Sequence, residues 1–289
     1  MSPRTVVLTG ASSGIGAAAA RQFAATGDRV VVVGRSPRRT RAVAQEVGGV
    51  ALTADFEDLG SVRDLAAALL ETCPRIDVLA SNAGGIWPRP AATRDGFERT
   101  VQVNHLAPFL LTWLLLERLG ASRATVLVTA SAAHRVGRLP AGDLSGVFAV
   151  PSRYRSMRVY GTSKLANILH ARELQRRHAV DGITALSWHP GVVASQFGRD
   201  GGLTGALVSL PPVRARMTAP EQAAARLVGL AAGPGPADGS ADPDRPQPGE
   251  YHDGSTGSRA PGRASAAARD PELAVRLWAA SARALGLPG

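Results

Sequence analysis

Short apolar runs alternate with amphipathic stretches along most of the chain. The short runs are typical of buried parallel strands, and the longer stretches are typical of helices that cover such a sheet. The predicted strands are residues 5–9, 29–33, 50–53, 76–80, 125–129, 183–188 and 250–252. The predicted helices are residues 15–26, 37–47, 59–71, 96–119, 157–178, 221–231 and 271–285. This alternation predicts an α/β fold, a doubly wound parallel sheet with helices on both faces, as one domain over residues 1–289.

The pattern is less regular in the last third of the chain. Residues 203–217 fit either a flap or a pair of short helices, and residues 233–248 are rich in Pro, Gly and Asp. These residue types favour turns and solvated loops, so we expect a mobile surface loop at 233–248. We also expect residues 136–157 and 192–217 to wall a ligand pocket. These two segments contain four apolar residues that fit either an apolar ligand or, equally, core packing: Phe148, Phe197, Leu203 and Leu207.

The composition is that of an ordinary globular protein. The chain has 289 residues, of which 45% are hydrophobic and 19% charged, and a chain of this length can bury a large core. A single cysteine, Cys73, excludes an internal disulfide framework and indicates a reducing compartment. The sequence has no secretory signal pattern and no apolar run long enough for a membrane span. We therefore expect a soluble, cytoplasmic protein with no membrane partner.

Positive charge is abundant, but its distribution argues against nucleic acid as a partner. The formal charge is +10, and the basic residues form neither a stripe nor a patch interleaved with aromatic residues. Only one of the 33 Lys and Arg residues is a lysine, Lys164, and it lies four residues after Tyr160. Because an ammonium and a guanidinium differ in geometry and hydration, this lone lysine indicates a position that requires a compact charge.

A glycine-rich segment, which we call the phosphate turn (residues 9–16, TGASSGIG), lies where the first strand meets the first helix. Its glycines allow positive φ and close approach of the backbone to a pyrophosphate, and the helix N-terminus offers N–H groups and a positive dipole end. An ordinary glycine-rich turn would have the same spacing, but the strand–turn–helix context favours a dinucleotide site. The expected cofactor contacts are Gly10, Ser12, Ser13, Gly14, Ile15 and Gly16.

The end of the second strand predicts which cofactor is bound. Folds that prefer NAD place a carboxylate there for the ribose 2′-hydroxyl, whereas an arginine accommodates a 2′-phosphate. Here the strand ends in Gly34-Arg35 without an acidic residue, so we expect NADP(H), with a solvated surface arginine as the alternative. Asp55 and Phe56 follow the third strand and are candidates for the adenine site, although Asp55 could equally be a helix N-cap.

Tyr160 and Lys164 are the candidate proton-transfer pair. They lie at positions i and i+4 of a predicted helix and therefore share a face. A cation about 5 Å from the phenol, at an effective dielectric constant of ~20, stabilises phenolate by roughly 3 kcal/mol, or about two pKa units. This would bring the tyrosine closer to the range needed for general acid–base catalysis. A surface Tyr/Lys pair is the alternative, and Tyr154 is a poor rival because Arg158 follows it at i+4.

Other polar residues fall at or near the carboxyl ends of predicted strands, where ligands bind in such sheets. Ser131 follows the fifth strand and could hold a substrate oxygen. Asn104 falls inside a predicted helix, where a buried polar role such as holding a water in a proton relay would explain it. A capping or surface role is the alternative for both residues. Asn82, Ala83 and Gly84 could brace the sheet and border the cofactor, while His189 is expected to be structural.

Together these residues resemble the short-chain dehydrogenase/reductase superfamily, and the resemblance spans nearly the whole chain. The matching motifs are the phosphate turn, Asp55, Asn82-Ala83-Gly84, Asn104, Ser131, Tyr160 with Lys164, and Pro190-Gly191. Several segments resemble the retinol dehydrogenase and WW-domain oxidoreductase-like branch: 95–98 (DGFE), 103–106 (VNHL), 189–193 (HPGVV), 249–251 (GEY) and 277–278 (LW). The resemblance implies a single-domain Rossmann-type fold.

The resemblance also implies a role for each matching residue. Tyr160 would be the acid/base, Ser131 would orient the carbonyl, Asn104 would complete a proton relay, and Lys164 would bind the nicotinamide ribose and lower the tyrosine pKa. The backbone after Pro190-Gly191 would contact the nicotinamide carboxamide, and these positions are Val192 and Val193 in this chain. Ser195, also an expected cofactor contact, stands where threonine is usual and keeps the hydroxyl. Ala130 departs from the family pattern, since many relatives carry a second serine there.

We therefore expect an NADP(H)-dependent oxidoreductase that interconverts a carbonyl and an alcohol on an apolar small molecule, without a metal. Two alternatives stay open: a sensor or scaffold protein that binds NADP(H) without chemistry, and a non-redox tailoring enzyme on the same fold. A homo-oligomer is possible because relatives often pair through the helices that contain Asn104 and Tyr160. Substrate identity, direction and pathway do not follow from the motifs, because a fold does not fix a substrate.

Overall fold

A computed structural model of the protein describes residues 3–191, 218–232, 246–255 and 261–288. Within these residues, seven strands form one parallel sheet in the order β3-β2-β1-β4-β5-β6-β7. The strands are β1 (Thr5–Thr9), β2 (Arg29–Gly34), β3 (Val50–Thr53), β4 (Val78–Ser81), β5 (Thr125–Thr129), β6 (Thr184–His189) and β7 (Tyr251–Asp253). The predicted α/β, doubly wound, Rossmann-type sheet is confirmed, and each predicted strand matches an observed one to within two residues at either end.

The α-helices lie between the strands, except the last, which follows the final strand. They are α1 (Gly14–Ala25), α2 (Pro37–Glu46), α3 (Leu59–Thr72), α4 (Arg99–Val101), α5 (Ala107–Leu114), α6 (Leu116–Ser122), α7 (Ser156–His178), α8 (Pro220–Ala231) and α9 (Pro271–Ala284). The expectations for residues 203–217, and for most of the loop at 233–248, fall outside the described residues.

Alternation of side chains along the strands creates a core on each face of the sheet. In β1, Val6 and Leu8 point to one face and Val7 points to the other, because successive strand side chains lie on opposite sides. The first face packs against α1, α2 and α8, and the second against α3, α5, α7 and α9. Strand order reverses between β1 and β4, and ligands bind sheets of this kind outside the carboxyl ends of the strands at such a point.

The single helix predicted over residues 96–119 is wrong in detail. Helical structure begins at Arg99, passes through a π-helical turn at Gln102–Leu106, and continues as α5 and α6 to Ser122. Pro108 lacks the N–H that would bond to the carbonyl of Asn104 in an α-helix, which favours a local change of pitch. The irregular turn places Asn104 away from a regular helical position.

The closing helix is confirmed as α9, and it packs along α7 and α5. Trp278 lies in a cluster of rings and is 4.8 Å from Phe109 and 5.8 Å from Trp113, measured between ring centroids. Phe148, a candidate for an apolar pocket, is buried and packs edge-on against Phe97, so it belongs to the core. None of the helices in the described ranges is long and apolar enough to cross a membrane.

Candidate active site

The phosphate turn is closely packed against the strand ends around it. Gly10 has a φ of +66°, and a Cβ placed on it would lie 2.8 Å from the Cα of Ala83. A Cβ placed on Gly16 would lie 2.5 Å from the carbonyl oxygen of Gly10. Both contacts are with backbone, so only glycine fits at either position without movement of the turn.

The N-terminus of α1 has donors to offer at this turn. The helix begins at Gly14, and Ser13 precedes it in extended backbone without capping it through its side chain. The N–H groups of the first turn have no partner within the helix itself. Uncapped N–H groups at a helix end and a glycine cradle fit the pyrophosphate of a dinucleotide. Ser12 fills the space beside Gly34, where an added Cβ would lie 2.8 Å from the serine Cβ.

The segment after β4 is tied to β1. The hydroxyl of Thr9 accepts hydrogen bonds from the backbone N–H of Asn82 at 3.0 Å and of Ala83 at 3.1 Å. The side-chain amide of Asn82 donates to the carbonyl of Thr9 at 3.1 Å. These bonds fix the path of the chain across the reversal point of the sheet, so the Asn82 side chain braces the sheet, as the sequence suggested. Gly84 follows as an exposed residue.

Asn104 is fully buried, and its amide joins two parts of the site. Its Oδ1 accepts from the N–H of Gly85 at 2.7 Å, and its Nδ2 donates to the carbonyl of Gly85 at 2.9 Å. The same Nδ2 donates to the hydroxyl of Ser163 at 3.0 Å, on α7. Neither a surface role nor a capping role fits this arrangement. The side chain aligns the segment after β4 with the helix that carries Tyr160.

Ser131 and Tyr160 meet at the carboxyl edge of β5. The Ser131 hydroxyl accepts from the N–H of Ala133 at 3.2 Å and so caps a 3₁₀ turn, Ala132–Arg135. Burial raises the pKa of Tyr160 to about 12, and a hydrogen bond with Ser131 opposes this rise. At neutral pH the tyrosine is therefore protonated and able to donate.

The position of Lys164 corrects one expectation. Its Nζ lies 5.6 Å from the ring centroid of Tyr160 and donates to the carbonyl of Thr129 at 2.9 Å. The lysine is only 2% exposed, and burial lowers its pKa to about 7. Burial thus weakens the positive charge expected to stabilise phenolate, and the pKa of Tyr160 is raised rather than lowered in this structure.

Gly84 leaves the space next to Lys164 without a side chain. A Cβ placed on Gly84 would lie 3.5 Å from the Nζ of Lys164 and 2.9 Å from the Oδ1 of Asn104. Any side chain at Gly84 would therefore crowd these two buried groups. A glycine here fits the close approach of a cofactor to the lysine.

The residues predicted to bind the adenosine end lie on two neighbouring strands. Arg35 follows β2 with an exposed side chain and forms an ion pair with Glu57 at 3.3 Å. Asp55 follows β3 and accepts from the N–H of Glu57 at 3.0 Å. The N-cap of α3 is Asp58, so Asp55 does not have the capping role that was its alternative. Phe56 is buried in the core, which leaves its backbone as the part available to a ligand.

The segment after β6 is described only at its start. Gly191 has a φ of +85°, and a Cβ on it would lie 2.8 Å from the hydroxyl oxygen of Thr218. The carbonyl of His189, just before Pro190, accepts from the N–H of Gly254 at 2.7 Å, and burial lowers the pKa of His189. The remaining predicted contacts lie outside the described residues: Val192, Val193 and Ser195.

Several residues that support the site were missed by the sequence analysis. Four of them support the site through the hydrogen bonds described above: Thr9, Gly85, Thr129 and Ser163. His134 is buried beside Ser131, and its Nδ1 lies 2.8 Å from the Ser131 carbonyl oxygen. Thr9 and Ser163 lie inside the motifs that were identified. The carbonyl of Thr129 gives no signal in a sequence, because it acts through its backbone.

Comparison with known proteins gives consistent results. The family model for short chain dehydrogenases matches residues 4–141. The chain is 42% identical to a Streptomyces protein named "Putative daunorubicin C-13 ketoreductase DnrU", over 98% of this chain and 93% of that protein. It is 36% identical to human retinol dehydrogenase 13, over 98% of this chain and 85% of that protein. A solved protein of Mycobacterium paratuberculosis superimposes with a TM-score of 0.74 at 31% identity, covering 98% of this chain and 94% of that one.

Proposed function

The chain belongs to the short-chain dehydrogenase family, as an oxidoreductase of its retinol dehydrogenase-like branch that acts on carbonyl or alcohol groups, and we propose that it reduces a ketone with NADPH. The observation that carries the proposal is the meeting of Ser131, Tyr160 and Lys164 at the carboxyl edge of β5. The relative at 42% identity is named a ketoreductase and is similar over nearly its whole length, which supports the reductive direction.

The residues around the phosphate turn would hold the cofactor. N–H groups at the start of α1 would bind the pyrophosphate, and Arg35 would bind the 2′-phosphate. Asp55 lies on the neighbouring strand end, where its carboxylate would accept a hydrogen bond from the adenine amino group. Bound NADPH supplies the hydride that the carbonyl carbon receives. Lys164, next to Gly84, would donate to the hydroxyls of the nicotinamide ribose.

Ser131 and Tyr160 would act on the carbonyl oxygen of the substrate. Both hydroxyls donate hydrogen bonds to that oxygen, which orients the carbonyl and favours negative charge on it. As hydride reaches the carbon, the Tyr160 hydroxyl gives its proton to the oxygen, and an alcohol forms. The high pKa of Tyr160 keeps this proton in place at neutral pH until charge develops on the substrate.

Asn104 and Lys164 would return a proton to Tyr160. The carbonyl of Asn104 cannot have the usual α-helical donor because Pro108 has no N–H, and in this proposal it would hold a water molecule. The Asn104 side chain is fully engaged with Gly85 and Ser163, so its own part is to position this carbonyl. The near-neutral pKa of Lys164 suits an amine that passes a proton from water to the phenolate.

We infer the substrate class from the relative that is named a ketoreductase and propose that this chain reduces a bulky, apolar ketone. Trp87 supports this choice. Its ring lies so close over Gly85 that a Cβ on the glycine would be 2.6 Å from the Cη2 of Trp87. The indole is partly exposed and stands beside the segment bound by Asn104, where its exposed part offers an apolar surface.

The test is a comparison of two tyrosine variants. Tyr160→Phe should lower kcat for reduction of an aromatic ketone by about 1000-fold or more, because the proton donor is gone, while NADPH binding followed by nicotinamide fluorescence should persist. Tyr251→Phe is the control, since it removes the same hydroxyl from another buried tyrosine, in β7. Retained turnover in Tyr160→Phe would overturn the proposed role, and ketone reduction without NADPH consumption would overturn the reaction.

A further inference from the structure

Glu57 binds two arginines at the adenosine end of the candidate site. One carboxylate oxygen lies 3.3 Å from the Nη1 of Arg35, and the other lies 3.1 Å from the Nε of Arg99. The Arg35 side chain is 65% exposed, compared with 33% for Arg99 and 24% for Glu57. Glu57 is thus in ion-pair contact with Arg99 on its more buried side and accepts a hydrogen bond from Arg35 on its solvent side.

The sheet places this pair where the cofactor's ribose would lie. Arg35 directly follows β2, Glu57 follows β3, and the two strands are neighbours with Gly34 opposite Thr53. The backbone of Glu57 is fixed, because its N–H donates to Asp55. The side chain is therefore held at the strand edge by its own backbone and by Arg99.

We propose that Glu57 determines the preference between NADPH and NADH by competing with the 2′-phosphate for Arg35. The inference rests on the proposed function, in which Arg35 binds that phosphate. With NADH, Arg35 keeps its ion pair with Glu57 and contributes nothing to binding. With NADPH, Arg35 leaves Glu57 for the phosphate, and the Glu57 carboxylate repels the phosphate from close by.

The charges around Glu57 make this exchange possible. A phosphate accepts shorter, stronger hydrogen bonds from a guanidinium than a solvated ion pair provides, so Arg35 favours the phosphate when it is present. Glu57 keeps Arg99 after Arg35 has left and is not left as an unpaired anion. The other acids nearby are already engaged: Asp58 caps α3 and pairs with Arg94, and Asp95 accepts from Leu59 and Gln102. Glu57 is therefore the acid in this group that is paired with Arg35.

The experiment measures binding rather than turnover. Dissociation constants for NADPH and NADH, and for 2′,5′-ADP and 5′-AMP as adenosine probes, are determined by titration calorimetry for the wild type, Glu57→Gln and Arg35→Ala. Glu46→Gln is the matched control, since it neutralises an exposed glutamate paired with Arg21 on α1. Glu57→Gln should tighten NADPH and 2′,5′-ADP by about threefold, with no change for NADH or 5′-AMP, and the gain should shrink at high salt.

The outcomes separate this inference from the proposed function. If Glu57→Gln shifts the NADPH-to-NADH ratio toward NADPH and Glu46→Gln does not, the inference is supported, even if the wild type itself prefers NADH and the proposed cofactor is wrong. If the wild type prefers NADPH but Glu57→Gln leaves the ratio unchanged, or weakens NADPH, the inference is overturned and the proposed function stands. A loss of 2′,5′-ADP binding in Arg35→Ala identifies Arg35 as the group for which Glu57 competes, and unchanged binding in that variant overturns the inference.

Discussion

The Nζ of Lys164 donates a hydrogen bond to the main-chain carbonyl of Thr129, 2.9 Å away, at the last residue of β5. Asn167 donates to the same oxygen at 3.0 Å, one helical turn further along α7. The only lysine of the chain is thus anchored to the sheet by a neutral acceptor, and burial favours its uncharged form.

Lys164 should make the protein more stable as the pH rises above 7. Its pKa is about 7 in the folded protein and near 10.4 in an unfolded chain, so between these values the unfolded state binds a proton that the folded state lacks. The free energy of unfolding should therefore rise with pH in this window, by up to about 1.4 kcal/mol per pH unit. Lys164→Met should remove this contribution.

The measurement is urea denaturation of both proteins at pH 7, 8 and 9. The wild type should gain stability relative to Lys164→Met at each step. Tyr160 does not interfere, because its pKa is raised to about 12 and it titrates above this range. Parallel stability curves for the two proteins would show that Lys164 is charged throughout.

The sequence predicted the strands well because each carries its own local signal. In β1 and β5 every residue is buried, so apolar and β-branched residues run without interruption and the strand ends are clear. The pairing of Tyr160 with Lys164 could also be predicted, since positions i and i+4 of a helix share a face. The protonation states were not, because they depend on burial. When a phenol and an amine both lose water, the pKa of the phenol rises and that of the amine falls, whatever their spacing along the helix.

Replacing Gly16 by alanine should destabilise the protein, although alanine normally stabilises a helix. The new Cβ would lie 2.5 Å from the Gly10 carbonyl oxygen and 2.7 Å from the Cα of Ala11, so the turn must move. We expect a loss of about 1–3 kcal/mol and weaker NADPH binding. Gly120→Ala, in α6, is the control: its nearest contacts are at 3.4 Å, and it should gain up to about 1 kcal/mol. Thermal unfolding with and without NADPH measures both effects, and equal behaviour of the two variants would contradict the tight packing.

Truncating Trp278 should cost about 3–5 kcal/mol of stability, because its buried ring packs against Phe109 and is covered by the guanidinium of Arg177 at 5.1 Å. The control is Val275→Ala on the same helix. Val275 is 38% exposed, so its truncation should change stability by no more than about 0.5 kcal/mol. Chemical denaturation compares the two. A small effect of Trp278→Ala would mean that α9 contributes little to the fold.

The contacts between distant segments were beyond prediction from the sequence. Asn104 was noticed because asparagine is unusual inside a helix, but its partners Gly85 and Ser163 follow only from how the π-helical turn faces α7. In the same way, nothing in the arginine-rich composition singles out Glu57 as the partner of Arg35. Such pairs form where strand ends from different parts of the chain meet, and no local pattern records them.

His134 should position Ser131 without contacting the substrate. The N–H of Ser265 can only donate, so the Nε2 of His134, 3.1 Å away, must accept. The proton of the neutral ring is therefore on Nδ1, which donates to the Ser131 carbonyl at 2.8 Å. Burial lowers the pKa of His134, which preserves this neutral form at physiological pH.

His134→Ala should lower kcat by about tenfold to a hundredfold and leave the affinity for NADPH unchanged, because the hydroxyl of Ser131 loses its fixed direction. His134→Asn keeps a donor near the position of Nδ1 and should recover part of kcat, although it loses the bond with Ser265 as fully as alanine does. A purely structural role predicts the opposite, namely that both variants lose thermal stability and activity together. Steady-state kinetics with melting temperatures for the three proteins separates these outcomes, since only positioning lets asparagine restore kcat without restoring the melting temperature.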